Sequence, residues 1–140
     1  MCMDTTLTTK HKGAIAELAV AHDLMQRGYI VALPFGDYGD WDLLVQRKKK
    51  FEKVQVKYAA ITDGWIPVRN RCHSVLAGRV TDTYQYNDRV DWLAVYEPGS
   101  RQCYYVASDE LRGGQMVLRI DPPKNGQKDG IRWAKDYQSI

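Results

Sequence analysis

Helical periodicity occurs once in this chain, near its start, and the remainder reads almost entirely as strands and turns. Over residues 8–27, Ala14, Leu18, Ala21, Leu24 and Met25 recur at helical spacing and make one apolar stripe. Thr8 or Thr9 suits the N-cap, Arg27 the last turn and Gly28 the position just past the end. One helix ahead of a run of strands predicts a mixed α/β domain, because the helix must lay its apolar face on a sheet. Glu17 falls inside the stripe, three residues after Ala14. Buried without a partner, a carboxylate there would cost on the order of several kcal/mol unless it neutralised or met a cation.

The strands are short. Tyr29 to Phe35 is apolar, and Gly36 to Asp40 is turn chemistry. Trp41–Gln46 and Val54–Ala60 form two strands joined across a basic turn near Lys49. Trp65–Arg71 is a further strand, which Pro67 restricts to an edge or a bulge. Residues 72–89 are polar with weak periodicity and read as loop with a short helix. Val90–Tyr96 and Gln102–Ala107 make a second hairpin, Ser108 caps a short helix over 109–112, and Met116–Ile120 is the last strand. An irregular tail over 121–140 packs on the core or on a partner subunit.

With 140 residues, 44% of them hydrophobic and 26% charged, the chain has the composition of one folded domain over 1–140, residues 1–8 being a flexible lead. Its three cysteines are odd in number and widely spaced, which builds neither a zinc site nor a disulfide framework. Cys72 beside His73 is not a catalytic pair by adjacency alone. The absence of a long apolar run and of an apolar signal core predicts an intracellular protein of the cytoplasm or nucleoid, not secreted and with no membrane partner. A net charge of +3 permits nucleic acid as a partner, and Arg47, Lys48, Lys49, Lys50, Lys53 and Lys57 concentrate that charge in one stretch.

With the turn centred between Lys49 and Lys50, Asp42 lies opposite Lys57 and Leu44 opposite Gln55. Strand alternation then gives Asp42, Gln55 and Lys57 one face of the sheet, with Val54, Val56 and Tyr58 on the other. A one-residue slip would reverse that assignment. A carboxylate, an amide and an ammonium converge beside a helix that carries Glu17. A hard divalent cation answers Glu17 and Asp42 together, since Mg²⁺ takes one or two carboxylates, keeps waters and binds phosphate oxygens. Lys57 beside it suits holding a water or stabilising charge on phosphorus.

Glu17 in GAIAE, Asp42 in WDLLV and Gln55-Val56-Lys57 in VQVKYA resemble, in order, the PD-(D/E)XK nuclease superfamily. The blocks KHKGAIAELAV, IVALPFGDYGDWDLLV, VDWLAVYEP and LRIDPPKNGQKDGIRWAKDY look like one branch of it, the group I intron-encoded homing endonucleases with that core. The likeness runs from about Lys10 to Tyr137. It implies a restriction-endonuclease-like α/β fold, a mixed central sheet flanked by helices. It implies a sequence-specific endonuclease that hydrolyses double-stranded DNA with Mg²⁺, Mn²⁺ being able to substitute. By the same resemblance, Glu17, Asp42 and the Val56 backbone carbonyl hold metal, and Lys57 positions the attacking water. Gln55 stands where the superfamily pattern has Asp or Glu, and supplies a neutral oxygen directly or through a water. A rival carboxylate for the metal is Asp40.

For DNA contact, Lys48, Lys49 and Lys50 suit phosphates, while Arg69, Asn70 and Arg71 suit base edges. Alternation aims Arg69 and Arg71 at one face and Asn70 at the other. Cutting both strands needs two active sites, so a homodimer or homotetramer is expected. Two alternatives share the core: a Holliday-junction resolvase-like nuclease, and a DNA-binding module without catalysis.

Overall fold

The computed structural model describes the backbone of residues 6–36 and 38–140, with all of their side chains except those of 72–76, 80–84 and 87. The first five residues of the expected flexible lead, and the side chains of Cys72 and His73, lie outside what is described.

Helix α1 spans Thr9–Gln26. Thr8 is its N-cap, its hydroxyl accepting the His11 N–H at 3.1 Å. At the other end Gly28 has φ +90°, its N–H reaches the Met25 carbonyl, and the Tyr29 N–H reaches that of Leu24. This is the paired bonding of a Schellman stop, which a residue with a side chain would strain.

The packing face of α1 differs from the expected stripe. Ala16, Val20 and Leu24 are fully buried, whereas Leu18 is 69% and Met25 63% exposed. Ala14, Leu18 and Met25 therefore lie on the outer side, and Glu17 flanks the true buried row. Leu24, and in part Ala21, belong to both the expected stripe and the buried row, which runs through Ala16 and Val20 at a spacing of four residues.

Five strands form the main sheet in the order β1 (Ile30–Ala32), β2 (Leu43–Arg47), β3 (Lys50–Tyr58), β7 (Trp92–Glu97), β8 (Gln102–Ala107). β3 and β7 are parallel and the other pairs antiparallel, so the sheet is mixed. Leu43, Val45, Val54, Val56, Ala94, Cys103 and Tyr105 face α1. The other face carries Leu93, Val95, Tyr104 and Val106, and is covered by a small sheet of β4 (Trp65–Arg69) and β9 (Gln115–Arg119), not by a second helix. The fold is the expected restriction-endonuclease-like α/β type, with helix on one side and strands on the other.

Within 72–89, expected as loop with a short helix, the chain instead forms most of a hairpin of β5 (Arg71–Leu76) and β6 (Arg79–Gln85). Ala77 and Gly78 both have positive φ, the backbone of a two-residue hairpin turn. A short 3-10 turn, Tyr86–Asp88, comes next. The turn at Ser108–Glu110 is also 3-10, and its N-cap is Ala107, not Ser108. Pro67 is tolerated because β4 belongs to a two-stranded sheet and has a free edge. The C-terminal segment returns beside β9, with Arg119 bridging Trp133, and Ala134 is buried in the second core. No helix among the described residues is long and apolar enough to cross a membrane.

Candidate active site

β2 and β3 meet at Leu43↔Val54 and Arg47↔Lys50 around a turn at Lys48 and Lys49, both at positive φ (49° and 65°). The turn is one residue earlier than expected, so the register moves by two. Asp42, just ahead of β2, comes level with Gln55 and not Lys57. A slip of two preserves the side-chain face, so the expected grouping of Asp42, Gln55 and Lys57 survives the error.

The tightest contact in that group is between side chain and main chain. The Val56 N–H donates to Asp42 Oδ2 at 2.7 Å. The Asp42 N–H in turn donates to the Val54 carbonyl at 2.8 Å. β2 has ended at this point, and the Asp42 carboxylate continues its ladder. The N–H and C=O of a strand residue point to the same side, so the Val56 carbonyl opens on the edge where Asp42 lies.

Gln55 and Lys57 are half-buried on the face away from α1. The Lys57 ammonium donates to the Tyr86 hydroxyl at 2.9 Å and lies 4.6 Å from the centre of that ring. Tyr86 is 3% exposed. Its N–H is shared between the Asn70 carbonyl (3.0 Å) and Asn70 Oδ1 (3.1 Å). Lys57 also lines an open cleft of about 830 Å³, whose walls include Arg69, Arg71, Gly114 and Gln115.

Glu17 is half-buried on α1. The Lys12 ammonium, ahead of it on the helix, lies 5.8 Å from the centre of the Tyr58 ring. The first turns of α1 thus pass over the C-terminal end of β3, the end that carries Val56 and Lys57. Asp40, the rival carboxylate, is in an ion pair with Arg89 at 3.0 Å.

The residues expected to contact DNA divide. Arg69 and Arg71 are exposed at the cleft. Asn70 is corrected: it is 1% exposed, and its amide donates to the Gly113 carbonyl at 3.0 Å while its oxygen accepts from Tyr86, so it presents no edge to a base. Lys48, Lys49 and Lys50 are exposed, but at the opposite end of β3. Seven strand steps separate Lys50 from Lys57, roughly 23 Å. The structure does not gather them with the cleft.

A family model for the PD-(D/E)XK endonucleases matches residues 7–140. The chain belongs to that family. Among solved structures it is similar to a bacterial homing endonuclease, I-Ssp6803I, with 25% identity and a TM-score of 0.75 over 94% of this chain and 89% of that one. Among curated proteins there is no match.

In this PD-(D/E)XK chain the candidate donors are carboxylate, amide and carbonyl oxygens, which suit a hard divalent cation. Among the described residues no group of three or more His, Cys, Asp or Glu side chains is arranged to hold a metal. Two carboxylates and a carbonyl would be a ligand set lean in charge, the chemistry of an ion that keeps several waters. Tyr86 is the member that sequence reading misses, and Asn70 is one that it assigns to base contact instead. Tyr86 comes from a stretch with no clear periodicity, and the pairing of Arg71 with Gln85 in the β5–β6 hairpin brings it beside Asn70.

Proposed function

We propose that this endonuclease cuts double-stranded DNA at specific sequences using a divalent metal, Mg²⁺ or Mn²⁺, in the manner of a homing endonuclease. The observation that carries this reading is the bond from the Val56 N–H to Asp42 Oδ2, which sets a carboxylate against the backbone between Gln55 and Lys57. Structural likeness to a homing endonuclease supports it.

In this reading Glu17, Asp42 and the Val56 carbonyl hold the cation, with Gln55 contributing its amide oxygen directly or through water. When bound, such an ion polarises a phosphate oxygen and makes water more acidic. Lys57 lies in the cleft, where its ammonium holds the attacking water and meets charge developing on the non-bridging oxygens. Hydrolysis forms one bond from water oxygen to phosphorus and breaks the bond to the leaving sugar oxygen, which takes a proton. Tyr86 fixes the ammonium, while Arg69 and Arg71 hold the flanking backbone or reach base edges.

Cutting both strands calls for two such sites, so the working form is a homodimer or homotetramer. The outer face of α1, with Leu18 and Met25 exposed, offers a second copy apolar surface to cover. A single-chain mass by light scattering at micromolar concentration counts against this assembly.

The direct test is cleavage of supercoiled plasmid carrying candidate targets, with Mg²⁺ and with EDTA, by wild type, Asp42→Ala and Lys57→Ala, each checked for folding. Metal-dependent linear product that both substitutions abolish is expected. Cleavage surviving Asp42→Ala, or no cleavage of any DNA by wild type, overturns the assignment.

A further inference from the structure

The outer face of the small sheet continues past the cleft. On β9 Met116 and Leu118 are buried, so Gln115, Val117 and Arg119 alternate to the other side. Gln115 borders the cleft that holds Lys57, and it also borders a second pocket of about 480 Å³. That pocket lies between β9 and the returning C-terminal segment, where the Arg119 N–H donates to the Arg132 carbonyl at 2.8 Å. Three guanidinium side chains line it: Arg112, Arg119 and Arg132. Glu110 is the carboxylate in the lining, and it accepts the Tyr137 hydroxyl at 2.7 Å. The lining therefore carries an excess of positive charge.

Arg119 Nε is buried and has no hydrogen-bond partner, the one side-chain nitrogen or oxygen among the described residues in that condition. A buried charged donor left unmet costs about 1–3 kcal/mol or more. A site that gathers three guanidinium groups around one carboxylate is short of acceptors, and planar guanidinium donors match phosphate oxygens well.

We propose that this pocket is a second phosphate subsite, taken by a DNA backbone phosphate away from the scissile bond. This rests on the nuclease reading above and extends it from the cleft along β9. Gln115 and Arg119 are four strand steps apart, roughly 13 Å. That span starts at Gln115, on the cleft wall, and every nucleotide of a strand carries a phosphate, so the subsite meets a phosphate several nucleotides along from the one beside Lys57. Contacts of this kind fix where the duplex lies without reading its sequence.

The test is the salt dependence of binding to a duplex of about three helical turns in EDTA, read by fluorescence anisotropy for wild type, Arg119→Gln and Arg112→Gln. Arg112 is exposed, so its variant probes the pocket without touching a buried group. Each substitution is expected to weaken binding several-fold at low salt and to lower the slope of log K against log salt by about one. Methylphosphonate substitution, walked one phosphate at a time away from the cut, should weaken wild type at one position and leave Arg119→Gln indifferent there. If wild type binds and cuts DNA while both variants keep its affinity and slope, the pocket holds only water and the proposal fails alone. If wild type shows no salt-dependent duplex binding, this proposal and the nuclease reading fall together.

Discussion

The Lys57 ammonium sits 2.9 Å from the hydroxyl of Tyr86, a residue 29 positions later in the chain and only 3% exposed. It also lies over that ring. The ammonium thus has both a hydrogen bond and the ring's negative face to hold it, and the ring is held by packing. Behind Tyr86 stands Asn70, whose carbonyl and side-chain oxygen both meet the Tyr86 N–H. A buried amide, a buried phenol and a half-buried ammonium form one line of support into the cleft.

Removing only the hydroxyl isolates the first of these links. Tyr86→Phe keeps the ring and loses one charge-assisted hydrogen bond, worth about 1.5–3 kcal/mol. We expect the single-turnover cleavage rate to fall about 10- to 100-fold, with little change in DNA affinity. Equal losses in rate and affinity would show that Tyr86 supports the fold of the cleft and not the placement of Lys57.

How far the sequence reveals this arrangement depends on how local each determinant is. The helix cap, the Gly28 stop and the β7–β8 hairpin rest on neighbouring residues, and their expected positions match within a residue or two. The face shared by Asp42, Gln55 and Lys57 is legible because alternation survives a two-residue error in the turn. The turn itself misleads, since Lys48 and Lys49 take a left-handed backbone that their residue type disfavours. The buried row of α1 is legible only in part: Leu24 and Ala21 of the expected stripe do pack on the core, but Leu18 and Met25 outweigh Ala16 in hydrophobicity and draw the stripe toward the outer side. Tyr86 and Asn70 depend on contacts across the hairpin of β5 and β6, and no local pattern announces those.

Asn70 and Arg69 are adjacent and should behave in opposite ways. Asn70→Ala removes the buried amide with its bonds to the Tyr86 N–H and the Gly113 carbonyl, leaving the Tyr86 N–H only the backbone carbonyl of residue 70. We expect a stability loss of about 2–3 kcal/mol by urea denaturation. Arg69→Ala, at an exposed position, should change stability by less than about 0.5 kcal/mol and lower the salt slope of DNA binding by about one. A folded Asn70→Ala protein with altered base preference would return Asn70 to the DNA-reading set.

Glu97 gives the fold an acid-sensitive clasp. Burial acts to raise its pKa, but the Ser100 hydroxyl and N–H (both 2.6 Å), the Gly99 N–H (3.0 Å) and the Ile61 N–H (3.4 Å) outweigh it, so the carboxyl titrates below the ordinary range. A depressed folded pKa contributes stability that is complete above the unfolded value of about 4.3 and is lost as pH falls through the folded value. Glu97→Gln should cost about 1–3 kcal/mol at neutral pH. The gap between wild type and variant should narrow as pH falls below about 4.3. A gap that stays constant down to about pH 3 would mean that the ionised form is not what the clasp holds.

The two sides of α1 make the last prediction, because size and exposure assign them opposite roles. Ala16 is fully buried against the sheet, and Ala16→Leu must push the helix outward or force strained rotamers. We expect about 1–3 kcal/mol of destabilisation. Leu18 is 69% exposed on the outer side. In dilute solution Leu18→Glu should alter unfolding of the chain by no more than about 0.5 kcal/mol, while lowering the mass seen by light scattering at micromolar concentration. If Ala16→Leu is tolerated and Leu18→Glu unfolds the dilute chain, the helix packs through the stripe of Ala14, Leu18 and Met25 after all. If both variants fold and the mass does not change, the outer face of α1 is not a surface between copies.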